Sequence, residues 1–235
     1  MDRLPEPPRH RYEALLQHYF HRLPAAARKP NCAQHFDCAE FAARTDEIAP
    51  LFAHVMRHAA RDLAAFDNDQ LGVGLTALFS MRWSNFGYRL ANSPAHRQNC
   101  ETVPVAEQVA AIASIEVLYA DCLTPRAVPA AGLLHDAAGP LGTFTYMLWD
   151  ASPLGYWRGA GPKDPRVAAL LAVLAAALRS PNTVCIKSAL HGLGHLEGAA
   201  AEARRGIVEN FLAERGPGLE ASLARYAIAA ARGAV

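Results

Sequence analysis

The chain has 235 residues, of which 51% are hydrophobic and 19% are charged, and this composition excludes an intrinsically disordered protein. Lysine and arginine number 23 and aspartate and glutamate number 22, so a formal charge of +1 provides no overall field to attract nucleic acid. No apolar run reaches the roughly 18 residues of a membrane span. The first residues carry prolines and charges where a signal peptide has its apolar core. Together these features favour a soluble cytoplasmic protein without a membrane partner.

The apolar residues recur with helical spacing along almost the whole chain, and no stretch alternates long enough to predict a strand. Residues 24–45 read as a loop-rich segment with one short helix at 36–43. The other predicted helices cover residues 12–23, 46–66, 69–82, 104–123, 127–137, 141–150, 165–179, 182–196, 201–214 and 219–231. We therefore expect one all-α domain over residues 1–235, less regular over 1–45 and with its clearest helical repeats at 165–232.

The segment 165–214 contains a pattern of two helices and a turn. The first helix ends in the proline-containing turn RSPN, and the next, TVCIKSALHGLGHL, has the spacing V…A-L-x-x-L-G-x-L. This pattern resembles a HEAT-type helical repeat, in which small residues such as Gly194 let neighbouring helices approach and Leu and Val fill the groove between hairpins. The resemblance implies stacked antiparallel hairpins, as a HEAT-like α-solenoid or a compact helical array. The earlier helices do not align with it at a fixed period.

The resemblance also implies a range of functions. HEAT-type proteins include scaffolds, nucleic-acid binders and a group of DNA-alkylation glycosylases, so the fold alone does not select one function. We expect a scaffold or adaptor that binds a protein or peptide in a helical groove. The alternative is an enzyme on the same scaffold that acts on a small molecule or a DNA base. Nucleic acid is possible as a partner, although the charge does not favour it.

The aromatic loop at 146–158 is the main candidate for a binding site. It belongs to the stretch 139–164, which is rich in glycine, proline and aromatic residues, and a long loop in a compact domain is often functional. Aromatic rings and neighbouring charges can line a pocket by stacking and ion pairing. The alternative, which is the more common role of aromatic residues, is that they pack the loop against the core. The predicted binding residues are Trp149, Asp150, Tyr156, Trp157 and Arg158, with His191 and His195 nearby. Catalytic residues are not assigned, although His135 and Asp136 would suit acid–base chemistry if they entered this pocket.

Two histidine pairs have the i, i+4 spacing that places both rings on one helix face. His191 and His195 could share a metal, but Gly192 stands where the H-E-x-x-H motif has glutamate, and the packing pattern already explains both positions. His54 and His58 repeat the spacing without the Glu-x-x-His arrangement of helical-bundle metal sites. Neither pair therefore predicts a metal.

One further cluster has the residue types of a zinc site. Cys32, His35 and Cys38 lie close together in the sequence CAQHFDC, but no fourth ligand is evident and the spacing fits no zinc motif. The five cysteines are scattered and odd in number, which favours reduced thiols over a disulfide framework. The sequence thus predicts no metal and no cofactor.

Overall fold

The structure is a computed structural model that describes residues 4–21, 41–79, 85–92, 102–128, 139–157 and 161–235. The α-helices are α1 (Arg9–Leu16), α2 (Thr45–Asp62), α3 (Asn68–Phe79), α4 (Phe86–Leu90), α5 (Val105–Val117), α6 (Thr124–Arg126), α7 (Gly139–Ala151), α8 (Pro165–Ala177), α9 (Thr183–Gly194), α10 (Ala201–Arg215) and α11 (Ala221–Arg232). All regular structure in these ranges is helical, which confirms the all-α prediction. None of these helices has both the length and the apolar character needed to cross a membrane.

The predicted helices agree with the observed ones where both are described. The predicted helix at 104–123 is α5 followed without a break by the π-helical turn Leu118–Leu123 and by α6. The first helix similarly passes into a π-helical turn at Gln17–His21. The predicted helix at 127–137 and most of the one at 36–43 fall outside the described residues, and 41–44 is not helical.

Side-chain caps fix where α8 and α9 begin. The Asp164 side chain accepts a hydrogen bond from the backbone N–H of Arg166, and Pro165 occupies the first position of α8. The Asn182 side chain likewise accepts from the backbone N–H of Val184 at the start of α9. Both caps satisfy backbone donors that a helix terminus leaves without partners, so the sequence itself sets the start of each helix.

The helices contact one another in two rows. In the first row α2 packs on α5 and α5 on α8; in the second, α3 packs on α7, α7 on α9 and α9 on α11. The buried apolar side chains of both rows form one continuous core cluster. Neighbouring helices in a row are therefore close in space although tens of residues separate them in sequence.

Polar side chains connect successive turns of the chain. Arg126 donates to the carbonyl oxygens of Leu63 (3.1 Å) and Phe66 (2.5 Å) in the turn after α2. Asn182 donates to the carbonyl oxygens of Thr124 (2.9 Å) and Ala127 (2.7 Å), at the start of α6 and directly after it. Arg215 donates to two carbonyls in the turn after α8, at 3.2 and 2.9 Å. Each turn thus has its carbonyls satisfied by a side chain from the next part of the chain.

A buried hydrogen-bond network joins the two rows of helices. The Tyr119 hydroxyl, in the π-helical turn, accepts from Trp149 Nε1 (2.9 Å) and lies 2.6 Å from Ser188 Oγ. Ser188 Oγ in turn donates to the carbonyl oxygen of Thr145. Each group has a partner if Tyr119 donates to Ser188, and burial holds the pKa of Tyr119 well above its usual value, so the hydroxyl keeps its proton.

An ion pair attaches α1 to α2, and it makes stability depend on pH. Arg11 Nε and Nη2 donate to the two carboxylate oxygens of Glu47 at 2.9 and 2.8 Å. The Arg11 guanidinium holds the pKa of Glu47 below its usual value. A carboxyl whose pKa is lower in the folded state stabilises the protein above its unfolded pKa, and that stabilisation is lost as the pH falls through the folded value.

We therefore expect Glu47→Gln to lower the free energy of unfolding by about 1 kcal/mol at pH 7 and by less as the pH falls below about 4. Urea denaturation of both proteins between pH 3 and pH 7 measures the difference. Glu13→Gln is the control, because Glu13 pairs with Arg9 on the exposed face of α1. A Glu47→Gln effect of equal size at pH 3 and pH 7 would contradict this account.

Candidate metal centre

Asp150 and the histidine pair come together at the C-terminal ends of α7 and α9, two neighbouring helices of the second row. Asp150 Oδ2 lies 2.5 Å from His191 Nε2, and Asp150 Oδ1 lies 3.2 Å from His195 Nε2. The two ring nitrogens are themselves 3.2 Å apart. Among the described residues this is the one set of three His, Cys, Asp or Glu side chains whose ligand atoms all lie within 4.8 Å of one another.

The close approach of α9 to α7 depends on a glycine. A Cβ atom added at Gly192 would lie 2.7 Å from Trp149 Cδ1 and 2.9 Å from Leu174 Cδ2, so any side chain there would push α9 away from α7 and α8. Gly194, which the sequence pattern places at a helix contact, meets instead the side chain of Val235 beyond the end of α11. Of the two glycines between the histidines, Gly192 is therefore the one that permits the close approach of α9 to α7 and α8.

Two tyrosines contact His191, Tyr226 at Nδ1 and Tyr146 at the ring face. His191 Nδ1 lies 2.8 Å from the Tyr226 hydroxyl, which lies 3.0 Å from the Tyr146 hydroxyl. The Tyr146 ring also packs on the His191 ring, with centroids 4.5 Å apart. Burial, followed by the hydrogen bond with Tyr146, raises the pKa of Tyr226 above its usual value, so the Tyr226 hydroxyl remains protonated near neutral pH.

The cluster is buried on one side and accessible to solvent on the other. The side chain of His191 is 10% exposed, whereas those of Asp150 and His195 are 24% and 30% exposed. A ligand can therefore reach the carboxylate and the second histidine without any rearrangement of the core, while His191 is held in place by its neighbours.

The same distances suit two chemical states. Without an ion, both Nε2–H groups donate to the Asp150 carboxylate, and Tyr226 donates to His191 Nδ1. A zinc-type ion would instead be held by the two Nε2 atoms and an Asp150 carboxylate oxygen, which are ligand types that zinc takes. The ligand atoms of the three side chains lie within 4.8 Å of one another, so one ion could contact all three. His191 Nδ1–H would then donate to Tyr226, as metal-bound histidines usually donate to an outer partner.

The tryptophans expected to line the binding pocket are part of the core instead. Trp149 is 2% exposed and Trp157 is 9% exposed. The indole of Trp149 donates to Tyr119, and the Arg166 guanidinium covers the Trp157 ring at 4.9 Å. Tryptophan has a larger apolar surface than other side chains, so burying these two rings against α9 and α8 stabilises the fold more than leaving them in solvent would.

Several other predicted residues cannot be placed at the site. Residues 153–157 form a 3-10 helix, and the Tyr156 side chain and Arg158 lie outside what the structure describes. The same holds for His135 and Asp136 and for the cluster of Cys32, His35 and Cys38. Of the seven predicted binding residues, the structure brings together Asp150, His191 and His195.

Sequence reasoning missed both tyrosines of the site. Tyr146 lies one helical turn before Asp150 on α7, and this i, i+4 spacing was a usable signal. Tyr226 lies on α11, and nothing in its local sequence connects it to His191. The other histidine pair, His54 and His58, packs ring to ring at 4.3 Å on α2, and in the described part of the chain no third ligand-type side chain brings its ligand atom within 4.8 Å of both.

No family model matches the chain, and neither a curated protein nor a solved structure does. The HEAT-type resemblance therefore stays a prediction, and function has to be argued from the chemistry of the site. That chemistry rests on three ligand-type side chains, which two packed helices bring to one point.

Proposed function

We propose that this protein is a metal-dependent hydrolytic enzyme on a HEAT-like helical array, with a divalent ion held by Asp150, His191 and His195. The observation that carries the proposal is the convergence of two imidazole nitrogens and a carboxylate within 4.8 Å of one another. Nitrogen and oxygen ligands without thiolates suit Zn²⁺ or Fe²⁺. Three protein ligands leave a coordination position open, which is the arrangement of catalytic rather than structural zinc sites.

The contacts between helices support the HEAT-like part of the proposal. Two rows, in which each helix packs on the next one of its own row, are what a stack of antiparallel hairpins produces. The side chains that connect successive turns support the same arrangement.

The chemistry follows from the open position. A zinc ion bound by three protein ligands lowers the pKa of a bound water to about 7 and polarises a carbonyl or phosphoryl oxygen. His191 would be a fixed ligand because Tyr226 and Tyr146 hold its ring. Asp150 and His195 face solvent, so the substrate would approach from their side.

Metal binding tests the site directly. After treatment with a chelator, the protein should take up one Zn²⁺ in isothermal titration calorimetry. His195→Ala and Asp150→Ala should each weaken that affinity by about 100-fold or more, since each removes a ligand. His58→Ala is the matched control, because it removes one histidine of an i, i+4 pair that has no third ligand atom within 4.8 Å among the described residues. Equal zinc affinities of His195→Ala and His58→Ala would overturn the site.

Hydrolysis tests the enzymatic part. The zinc-loaded protein should hydrolyse p-nitrophenyl acetate or bis-p-nitrophenyl phosphate, lose that activity with chelator and regain it with Zn²⁺. His195→Ala should lack it. Zinc binding that supports hydrolysis of neither probe would contradict the enzyme while leaving the metal site intact.

The adaptor function has less support from this geometry. A protein- or peptide-binding groove was expected from the aromatic loop at 146–158, but Trp149 and Trp157 are buried and offer no stacking surface. Groove binding of a protein or peptide stays a prediction, as does the cytoplasmic location.

A further inference from the structure

A second polar site lies between α10 and α11, and its lining includes none of Asp150, His191 and His195. It is a pocket of about 520 Å³, within the size range of small-molecule sites. Three arginines and one glutamate line it together with an apolar wall. The lining residues are Arg204, Arg205, Arg232, Glu209, Leu212, Ile228 and Ala231.

Arg204 is the unusual member of this pocket because it is buried. It is 6% exposed, its Nη1 donates to the carbonyl oxygen of Leu196 at 2.5 Å, and its buried Nε has no hydrogen-bond partner. Gly233 packs against the guanidinium, since a Cβ added there would lie 2.8 Å from Arg204 Nη1. A guanidinium stays charged in proteins, and a buried charge without a counter-ion is costly.

The pocket has an excess of positive charge that the described residues do not neutralise. In that part of the chain none of Arg204, Arg205 and Arg232 has a carboxylate within 4.0 Å, and Glu209 has no ion pair either. Three arginines against one glutamate leave two positive charges at the pocket, and arginine binds carboxylates and phosphates through paired donors.

The apolar side chains of the pocket indicate that the bound anion also carries an apolar group. Ile228 is 43% exposed, one of the few large hydrophobic side chains that face solvent in the described residues. Leu212 and Ala231 extend the wall beside the arginines. We propose that this pocket binds an anion with an apolar group, such as a medium-chain carboxylate or alkyl phosphate, with the anion on the arginines and the hydrocarbon on Ile228 and Leu212.

Binding of octanoate and octyl phosphate, measured calorimetrically on chelator-treated protein, tests this proposal without involving the metal centre. Both should bind at least 10-fold more tightly than acetate and inorganic phosphate. A preference for one of the two octyl compounds would distinguish a carboxylate site from a phosphate site. Undetectable binding of both at millimolar concentration would overturn the proposal.

Variants at exposed positions of the pocket avoid the risk that loss of buried Arg204 unfolds the protein. Arg232→Gln should weaken binding of the octyl anions about 5-fold or more. Ile228→Ser should reduce binding of octyl phosphate but not of inorganic phosphate. Arg225→Gln is the matched control, an exposed arginine on the same helix that does not line the pocket. Equal effects of Arg232→Gln and Arg225→Gln would show that the pocket does not bind the anion.

Discussion

Trp149→Ala is expected to lower the free energy of unfolding by about 3–5 kcal/mol. The side chain is 2% exposed and lies against Gly192, so its removal leaves a cavity between α7 and α9. It also removes the indole N–H that donates to the buried Tyr119 hydroxyl. Guanidinium denaturation monitored by circular dichroism measures the change.

Trp149→Phe is the matched variant, because phenylalanine loses the indole N–H but keeps part of the ring volume that fills the space. We expect it to cost less than half as much as Trp149→Ala. If Trp149→Ala stayed within about 1 kcal/mol of the parent protein, the indole would not be a core side chain, and the binding role expected from the sequence would regain support.

Gly72→Ala should be nearly as damaging, at about 3 kcal/mol or more. A Cβ atom at Gly72 would lie 2.2 Å from the backbone nitrogen of Leu141 and 2.3 Å from the carbonyl carbon of Pro140. These are main-chain atoms in the first turn of α7, so no side-chain rotation relieves the contact, and α3 and α7 have to separate. Chemical denaturation of the variant measures the loss.

Gly206→Ala provides the control for Gly72→Ala. Gly206 lies inside α10, and a Cβ atom there would meet nothing within 4 Å. Alanine is favoured over glycine in a helix interior, so this change should raise the free energy of unfolding by about 0.5–1 kcal/mol. A shift in the same direction for both variants would show that the contact between α3 and α7 is not the cause.

The helices could be predicted from the sequence because their signals are local. Asp164 and Asn182 lie directly before α8 and α9 and cap them, and the apolar spacing repeats every three or four residues. The His191–His195 pair was visible for the same reason. Asp150 precedes His191 by 41 residues, and their meeting depends on α7 packing against α9, which no short pattern encodes.

Which aromatic side chains are buried and which are accessible to solvent could also not be predicted from the sequence. Trp149 and Trp157 stand in a stretch rich in glycine and proline, where aromatic residues can either pack on the core, the more common role, or serve binding. Their burial is decided by Gly192 and Arg166, which belong to other helices. The cluster of Asp150, His191 and His195 was not predicted as one unit, because the carboxylate was assigned to a stacking pocket and the histidines to a packing pattern.

The two π-helical turns bear on how this chain is compared with other sequences. A π turn contains one more residue than an α turn, so in an alignment it behaves as a single-residue insertion that leaves the helix unbroken. The turn at Leu118–Leu123 changes the phase of the apolar pattern by one position between α5 and α6, and the turn at Gln17–His21 does the same after α1. An ungapped repeat profile loses its register at both places. The described helices from Pro165 onward contain no π turn, so their apolar pattern keeps one phase.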